Sequence, residues 1–446
     1  MSNDLTRRAF LGRSTGAGLT IFVGSGLLAA CGGSDESSSG GGGDGGSGKL
    51  TGPIASQQAI PAGVVFQQLD AAAKEVGKQL ELEVKILNYD ADNDRALSQL
   101  DQMGTQGVKA VTTLILDNGI TRQIAEDCVR NELFLSTWAQ VGLWIVPSEP
   151  GIDYHYQCLA NPPDGAYVTC KNMFEELGGK GTFAHITGAA GSATSRAKDK
   201  AIDKALSEYP GIEMVARQRG DYDREKSRQV LGNILAKTGN KLDAVFCQSD
   251  DSGVGALDAL REVNLVGKTL VGGADGIPEF IDAIIKGEAF GTEGVVPFLG
   301  GGYTLMQALD ASAGHKPNPG ETLMQQDMIM VDTKESAEIY KEKVYSKTAG
   351  PKLFDYAKMS RVLNPDDWDP QWPLKTFEPE VFWAQNQGVP KPDGYELPDN
   401  YVKAVEGDKR AAIDQTYKDH LKSFPLEEAA RKSRTGKTLF EQISES

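Results

Sequence analysis

The sequence is poor in the residues that several common functions require. Its 446 residues include only four histidines, and these lack the spacing of metal ligands, which argues against a zinc site. Lys and Arg number 46 against 62 Asp and Glu, so the formal charge is -16 and no basic face for nucleic acid is expected. The acidic balance also disfavours adsorption to an anionic membrane surface. We therefore expect no nucleic-acid partner, and neither a metal nor another cofactor.

Cysteine is scarce as well, with five in the chain. Cys128 and Cys247 lie in apolar helical and strand patterns, and we expect both to be small core residues. In an exported protein, Cys158 and Cys170 can close a small disulfide loop across the turn at residues 161–164. The sequence pairs no cysteine with a histidine at a spacing that suggests nucleophilic catalysis.

The first fifty residues have the composition of an export address. Residues 6–11, TRRAFL, form a twin-arginine signal, and the weakly apolar run behind it is shorter than the roughly 20 residues of a membrane-spanning helix. Residues 28–31, LAAC, resemble the lipobox of bacterial lipoproteins, which implies cleavage before Cys31 and a lipid on its sulfur. The alternative is a leftover cysteine in a plain signal peptide. We predict a signal at 1–30, a Gly/Ser-rich tether at 31–50, and an extracytoplasmic protein that meets the membrane only through its lipid.

Beyond the tether, short apolar runs alternate with helix-length segments in which apolar residues recur every three or four positions. This alternation is typical of βαβ units and a parallel sheet, because parallel strands need a long crossover and a helix supplies it. The clearest runs lie at residues 183–186, 214–216, 244–247, 269–271 and 290–296. Ligands of open parallel sheets bind beyond the carboxyl ends of the strands, so the polar residues after these runs are the first functional candidates.

The same alternation begins directly after the tether, so we predict two α/β lobes with Rossmann-like parallel sheets. The N-terminal lobe is expected at 51–150 and the C-terminal lobe at 151–275. Residues 346–446 form a C-terminal extension that starts rich in Pro and aromatics and continues in helical patterns at 400–422 and 426–442.

The extension carries three tryptophans close together, Trp368, Trp372 and Trp383. Such a group usually packs an extension onto the body of a protein, and the alternatives are a carbohydrate platform or a partner surface. We hypothesise that the extension docks over one lobe and shapes the cleft or a transporter-facing surface.

Five blocks of the sequence resemble periplasmic sugar-binding proteins of the ribose-binding type, whose core is shared by LacI-type repressors. They follow one another in family order and at family spacing, at residues 90–111, 187–206, 220–235, 244–260 and 272–278. The likeness extends over roughly residues 50–345. Repressors carry an N-terminal helix-turn-helix, whereas an export signal occupies that end here, so the repressor function is excluded.

The resemblance implies the type I periplasmic binding protein fold, in which two lobes joined by three hinge strands close on a ligand. It places the crossings near residues 141–153, 275–276 and 295–297, and it assigns 276–297 to the N-terminal lobe and 298–345 to the C-terminal lobe. It also implies the function, which is capture of a small sugar or polyol and delivery to the permease of an ABC importer. We expect a monomer that performs no covalent chemistry.

Three residues match ligand-binding positions of that family. Arg196 falls on its arginine at a helix start, Tyr222 on its stacking aromatic, and Asp275 on its hydroxyl-binding aspartate. The plainer alternatives are a solvated helix charge for Arg196, an interlobe contact for Tyr222 and a helix cap for Asp275. The helix dipole disfavours a cation at a helix start, so a ligand role explains Arg196 better.

Four further positions are looser candidates. Trp138 ends a predicted strand and can be a ring platform or a core residue, and Phe66 loosely resembles the aromatic of the family's first helix. Ser249 stands where the family has asparagine, and Asp90 opens the first matching block. Val295 replaces the glutamine near the last hinge, and the segment after the first strand lacks the usual asparagine and aromatics. The ligand is therefore expected to be a different sugar, a polyol or a less polar small molecule.

Two other functions fit parts of the sequence. A sensory binding protein that serves a chemoreceptor or a histidine kinase would have the same fold and pocket. An exported serine hydrolase is suggested by residues 195–198 (SRAK), 237–239 (KTG) and 249–251 (SDD). In such enzymes KTG comes last and on a strand, whereas here it precedes SDD and ends a predicted helix. We therefore expect no enzyme activity.

Overall fold

The computed structural model describes residues 49–61, 63–346 and 350–444. The predicted signal, the lipobox with Cys31 and nearly all of the tether lie outside these residues. Within the described part, no helix has both the length and the apolar character needed to cross a bilayer.

The strands form two sheets. In chain order they are β1 (Ile54–Gln58), β2 (Val84–Asn88), β3 (Ala110–Thr113), β4 (Phe134–Ala139), β5 (His155–Ala160), β6 (Lys180–Thr187), β7 (Gly211–Arg219), β8 (Ala244–Cys247), β9 (Leu270–Ala274), β10 (Gly291–Gly294), β11 (Leu323–Gln326), β12 (Ile329–Val331) and β13 (Leu374–Thr376). Each apolar run predicted as a strand contributes to one of them.

The first sheet has the order β13-β11-β5-β4-β3-β1-β2, and the second has the order β12-β10-β9-β8-β6-β7. All neighbours pair in parallel except for the edge strands β13 and β12, which are antiparallel to β11 and β10. The predicted α/β class with two mostly parallel sheets is confirmed. An antiparallel strand at the edge of such a sheet is common in α/β proteins.

The helices cover the faces of both sheets. They are α1 (Val64–Leu80), α2 (Asn93–Thr105), α3 (Thr121–Arg130), α4 (Asp164–Glu176), α5 (Ala193–Glu208), α6 (Arg224–Thr238), α7 (Asp250–Glu262), α8 (Pro278–Ile285), α9 (Pro297–Ser312), α10 (Lys334–Tyr345), α11 (Tyr356–Met359), α12 (Pro379–Val381), α13 (Asp399–Val405), α14 (Lys409–His420), α15 (Glu427–Arg431) and α16 (Leu439–Ser444). Short 3-10 turns lie at Asn118–Ile120, Pro319–Glu321 and Gly350–Leu353, and a π-helical turn lies at Phe382–Asn386.

Helices α1 and α9 pack against each other, and α9 lies on β3, β4 and β5 of the first sheet. The first sheet and helices α1, α2, α3 and α9 make up the first lobe. Helices α4 to α8 and α10 accompany the second sheet and make up the second lobe. One apolar core runs through both lobes, from Leu69 in α1 to Phe246 in β8, and on to Trp372 in the extension. The lobes therefore contact each other in this structure.

The chain passes between the lobes at residues 161–163, 295–296 and 327–328. The predicted crossing at 295–297 agrees with this path. Those near 141–153 and 275–276 are wrong, because β5 still pairs with β4 in the first sheet and the loop after β9 leads to α8 in the second lobe.

The lobe assignment of 276–297 and 298–345 is corrected in the same way. Strand β10 pairs with β9 and so belongs to the second sheet, while α9 and β11 belong to the first lobe. Pairing with strands distant in the chain decides the lobe of each segment, and a local pattern does not contain that information.

The proposed disulfide between Cys158 and Cys170 is also wrong, because the four cysteines after Cys31 are free and buried. Cys158 lies in β5 of the first sheet, where its Sγ approaches the backbone oxygen of Gln140 at 3.6 Å. Cys170 lies in α4 of the second lobe, beyond the crossing at 161–163. The turn that seemed to close a small loop is in fact a link between lobes.

The C-terminal extension packs on both lobes, so the hypothesis that it docks over one lobe needs correction. It adds β13 to the first sheet, and its helices α15 and α16 contact α10 and α4 of the second lobe. Trp368, Trp372 and Trp383 are all at most 4% exposed, as their predicted packing role requires.

Candidate functional site

The carboxyl ends of the two parallel sheets meet at a set of polar loops. The loop after β4 in the first lobe contacts the start of α5 in the second lobe. Gln140 Oε1 accepts from the backbone nitrogen of Ala193 at 3.1 Å, and the Thr194 hydroxyl donates to the backbone oxygen of Ala139 at 3.1 Å. These bonds hold the facing edges of the lobes together where a ligand of an open α/β sheet is expected.

Arg196 lies in the first turn of α5, behind the N-cap Ser192, whose side chain accepts from the backbone nitrogen of Ser195. Its guanidinium reaches the opposite lobe: Nη2 donates to Asn118 Oδ1 at 3.4 Å, while Nη1 donates to the backbone oxygen of Gly191 at 3.0 Å. The buried Nε has no hydrogen-bond partner among the described residues. Burial lowers the pKa of Arg196, and Asp117 opposes this effect. The group is a cation that retains an unused donor at the lobe boundary.

Tyr222 follows β7 and turns its ring toward the same loops. Its hydroxyl lies 3.0 Å from Ser192 Oγ, and burial raises its pKa. Its backbone is left-handed, with φ of 61°, which is uncommon outside glycine and is typical of loops shaped for a site. A Cβ at Gly188 would lie 2.1 Å from the ring, so this close approach requires glycine.

Asp275 stands at the end of β9, with φ of 114° and its backbone nitrogen bonded to the oxygen of Glu293 at 2.9 Å. Burial raises its pKa to about 7, and Lys198 partly offsets this. Glu293 pairs with Lys198 of α5, the helix that also carries Arg196 and whose N-cap Ser192 contacts the Tyr222 hydroxyl. The three residues that matched the family thus lie in one neighbourhood. Their contact with a ligand stays a prediction.

Two charged residues at this site were missed by the sequence analysis. Lys198 in α5 is 4% exposed and forms an ion pair with Glu293 in β10, which is fully buried. Burial acts to lower the pKa of Lys198, but Glu293 and Asp275 outweigh it, and the net direction is upward. A signal existed, because Lys198 lies four residues before the buried Ile202 and so shares its helix face.

Two buried polar side chains organise the loops around this pair. Gln248 accepts from the backbone nitrogen of Gly188 at 2.8 Å and from the Ser195 hydroxyl at 2.6 Å. Asp250 accepts from the backbone nitrogens of Gly276 and Ile277 and from the Thr292 hydroxyl at 2.8 Å. Buried acceptors that are fully bonded in this way fix loop conformation.

The four looser candidates each have their own partners. The Trp138 ring lies against Gly300 of α9, and its Nε1 donates to Gln326 at 2.9 Å. Phe66 packs on the small apolar cluster of Ala59, Tyr89 and Ala96. Ser249 caps α7, and the half-exposed Asp90 pairs with Arg95. Packing, capping and a surface ion pair account for these placements, and ligand contact at them stays a prediction.

The arrangement does not resemble that of a serine hydrolase. The Ser195 hydroxyl donates to Gln248 and the Lys198 ammonium pairs with Glu293, so the lysine does not act on the serine. Residues 237–239 end α6, with Gly239 in the left-handed C-cap conformation. Neither the Ser195 contact nor the Lys198 contact is that of an activated serine nucleophile.

The fold is a two-lobed α/β architecture in which the carboxyl ends of two parallel sheets meet. A family model described as periplasmic binding protein domain matches residues 61–316, more than half of the chain. The protein belongs to this family.

Curated relatives match parts of the chain. The xylitol-binding protein of Mycolicibacterium smegmatis is 34% identical over 120 residues, which are 27% of this chain and 34% of that protein. The D-allose-binding periplasmic protein of Escherichia coli is 30% identical over 189 residues, which are 40% of this chain and 60% of that protein. The chain thus spans between about a third and three fifths of the length of these two relatives.

Solved structures extend the likeness of the fold to about two thirds of the chain. A twin-arginine translocation pathway signal protein from Burkholderia phytofirmans has a TM-score of 0.62 at 21% identity, over 68% of this chain and 96% of that one. A periplasmic solute-binding protein from Actinobacillus succinogenes, solved with D-allose, has a TM-score of 0.59 at 22% identity. This match covers 65% of this chain and 99% of that one.

Proposed function

We propose that this protein captures a small sugar or polyol between its lobes, outside the cytoplasm, and presents it to the permease of an ABC importer. The observation that carries the proposal is the convergence of Arg196, Tyr222 and Asp275 at the boundary between the lobes. Arg196 lies in the first turn of α5, Tyr222 in the loop after β7, and Asp275 directly after β9. The Tyr222 hydroxyl lies 3.0 Å from Ser192, the N-cap of the helix that carries Arg196.

The chemistry of these groups suits a polyhydroxylated ligand. The Arg196 guanidinium offers a planar fork of donors, and the Asp275 carboxylate accepts from hydroxyls. The Tyr222 ring supplies an apolar face for the C-H side of a sugar ring. Hydrogen bonds formed there are strengthened because the closed lobes exclude water. Closure is favoured only by a ligand that binds better to the closed form than to the open one.

The relatives support the ligand class without choosing the ligand. Those that match this chain bind xylitol, D-allose, ribose and D-apiose by their names, and one solved relative holds myo-inositol. The departures of this chain from the ribose-type pattern predict a preference that differs from that for ribose.

The remaining parts of the proposal concern location and assembly. The family is extracytoplasmic and consists of binding proteins, which supports export and a function without catalysis. We further propose that a lipid on Cys31 is the membrane attachment and that the protein works as a monomer. A Cys31→Ser variant that stayed in the membrane fraction of its host would contradict the anchor.

A ligand screen tests the function directly. The purified protein is heated with xylitol, D-allose, D-ribose, D-apiose and myo-inositol in turn, and hits are titrated by calorimetry. A ligand at 100 times its Kd stabilises the folded state by about 2.7 kcal/mol, which is visible as a shift in Tm. We expect at least one sugar to raise the Tm of the wild type but not that of Arg196→Met. The control is Arg130→Met, which replaces an exposed arginine on α3 and should respond as the wild type does.

Two results would refute the proposal. One is the absence of any shift across the panel for the wild type. The other is an Arg196→Met variant that binds the same sugar as tightly as the wild type does.

A further inference from the structure

The extension reaches the candidate site through one side chain. Its π-helical turn Phe382–Asn386 packs on α5, the helix that carries Arg196, and Gln387 follows directly. Gln387 is 3% exposed, and its Oε1 accepts from Arg196 Nη2 at 3.2 Å. The neighbouring Gln385, in contrast, is exposed. A residue from outside the two lobes therefore contacts the arginine that matched the family's ligand-binding position.

The orientation of the Gln387 amide is set by its partner. A guanidinium has only donors, so the amide oxygen must face Arg196 and the amide nitrogen must face away. This Nε2 is buried and has no hydrogen-bond partner among residues 49–61, 63–346 and 350–444, and the same holds for Arg196 Nε. Buried donors without an acceptor are costly, and an incoming ligand oxygen removes that cost.

The backbone around Gln387 is fixed to the first lobe as well. Trp383 Nε1 donates to the backbone oxygen of Gly142 at 2.8 Å, and its ring centroid lies 5.0 Å from that of Trp144. The backbone nitrogen of Gln387 donates to the oxygen of Phe382 at 2.9 Å. The amide is thus held by contacts to both lobes, which is the support that a precise binding group needs.

Resting on the proposed function, we infer that Gln387 positions Arg196 through its amide oxygen and helps to determine ligand specificity through its free amide nitrogen. The extension is then a third wall of the ligand cleft in addition to the two lobes. A site with a fixed donor rejects analogues that lack the matching acceptor, because the donor is then left unpaired.

Three variants separate this role from simple packing. Gln387→Met keeps the side-chain length but removes both amide atoms, Gln387→Glu keeps an acceptor for Arg196 but loses the donor, and Gln385→Met is the exposed control. Calorimetry with xylitol, D-allose, D-ribose, D-apiose and myo-inositol should show binding weakened about tenfold or more in Gln387→Met. We expect Gln387→Glu to recover part of that loss with an altered order of preference among the sugars, and the control to match the wild type.

A double-mutant cycle tests whether Gln387 acts through Arg196. If it does, the combined loss of affinity in Arg196→Met with Gln387→Met is smaller than the product of the two single losses, because the interaction that the two residues share is lost only once. Gln387→Met binding within twofold of the wild type, with the same order of sugars, would overturn the inference, as would losses that multiply in the double variant. If Gln387→Met fails to fold, an unchanged sugar preference in Gln387→Glu overturns it. A wild type that binds no sugar of the panel refutes the proposed function itself, and this inference with it.

Discussion

Asp275 provides a quantitative test of the electrostatics at the site. Burial raises the pKa of its carboxyl to about 7 from an ordinary value of 3.8, with Lys198 acting against the shift and Glu293 and Asp251 adding to it. The folded protein therefore holds a proton on Asp275 at pH values where the unfolded chain has released it. Stability that Asp275 contributes at acidic pH is lost as pH rises toward neutrality.

The sign and size follow from proton linkage. Between pH 3.8 and about 7 the folded state binds more protons than the unfolded state, so the free energy of unfolding falls as pH rises. At about 1.4 kcal/mol for each pH unit, ionised Asp275 destabilises the fold by at most ~4 kcal/mol above pH 7. Asp275→Asn removes this titration but keeps the shape of the side chain. The stability of the variant relative to the wild type should rise by up to that amount between pH 4 and pH 8.

Urea unfolding followed by tryptophan fluorescence at several pH values measures this difference. Asp366→Asn, which removes an exposed carboxylate in the extension, is the control and should show a much smaller change. Comparing each variant with the wild type at the same pH cancels the titration of distant groups. A difference for Asp275→Asn that is flat, or that falls as pH rises, would refute the described environment of this carboxyl.

Three further changes have expected outcomes. Lys198→Met leaves the fully buried Glu293 without its cation and should lower the free energy of unfolding by ~3–5 kcal/mol. Adding Glu293→Gln should recover part of this loss. A Lys198→Met variant as stable as the wild type would contradict the ion pair. A thiol reagent should label none of the four cysteines after Cys31 in the native protein and all four in urea without reductant. A disulfide would leave two of the four unlabelled in urea. Ending the chain at residue 345 exposes the edge of β11 and should lower Tm or cause aggregation; an unchanged Tm would argue against a packing role.

Local sequence pattern predicted strands such as β6 to β10, because each stands out as a short apolar run between helix-length segments. The pattern did not predict which lobe β5 and β10 join. Strand β5 pairs with β4 and with β11 from far along the chain, and β10 pairs with β9 and β12. The partners of a strand depend on the whole topology, so two of the three crossings and the supposed disulfide were placed wrongly.

The residues of the candidate site also divide into those that the sequence could predict and those that it could not. Arg196, Tyr222 and Asp275 could be selected because they lie in the polar segments after predicted strands and match ligand-binding positions of the family that the sequence resembles. Glu293 could not be selected from the sequence, because a glutamate within an apolar run does not indicate a lysine on a distant helix as its partner. Gln387 was equally out of reach, since only the folded extension places it beside Arg196.

The extension also changes how the two lobes can move. Besides adding β13 to the first sheet, it bonds to the crossing at residues 327–328. The backbone nitrogen of Asp327 donates to the oxygen of Pro373 at 3.0 Å, Trp372 Nε1 donates to the Asp327 oxygen at 2.9 Å, and the Phe440 nitrogen donates to Asp327 Oδ1 at 3.0 Å. If the lobes open, we expect this crossing to be strained or the contact between Gln387 and Arg196 to break. Contacts that exist only in the closed form raise its population before any ligand arrives, and a ligand that binds the closed form then gains apparent affinity.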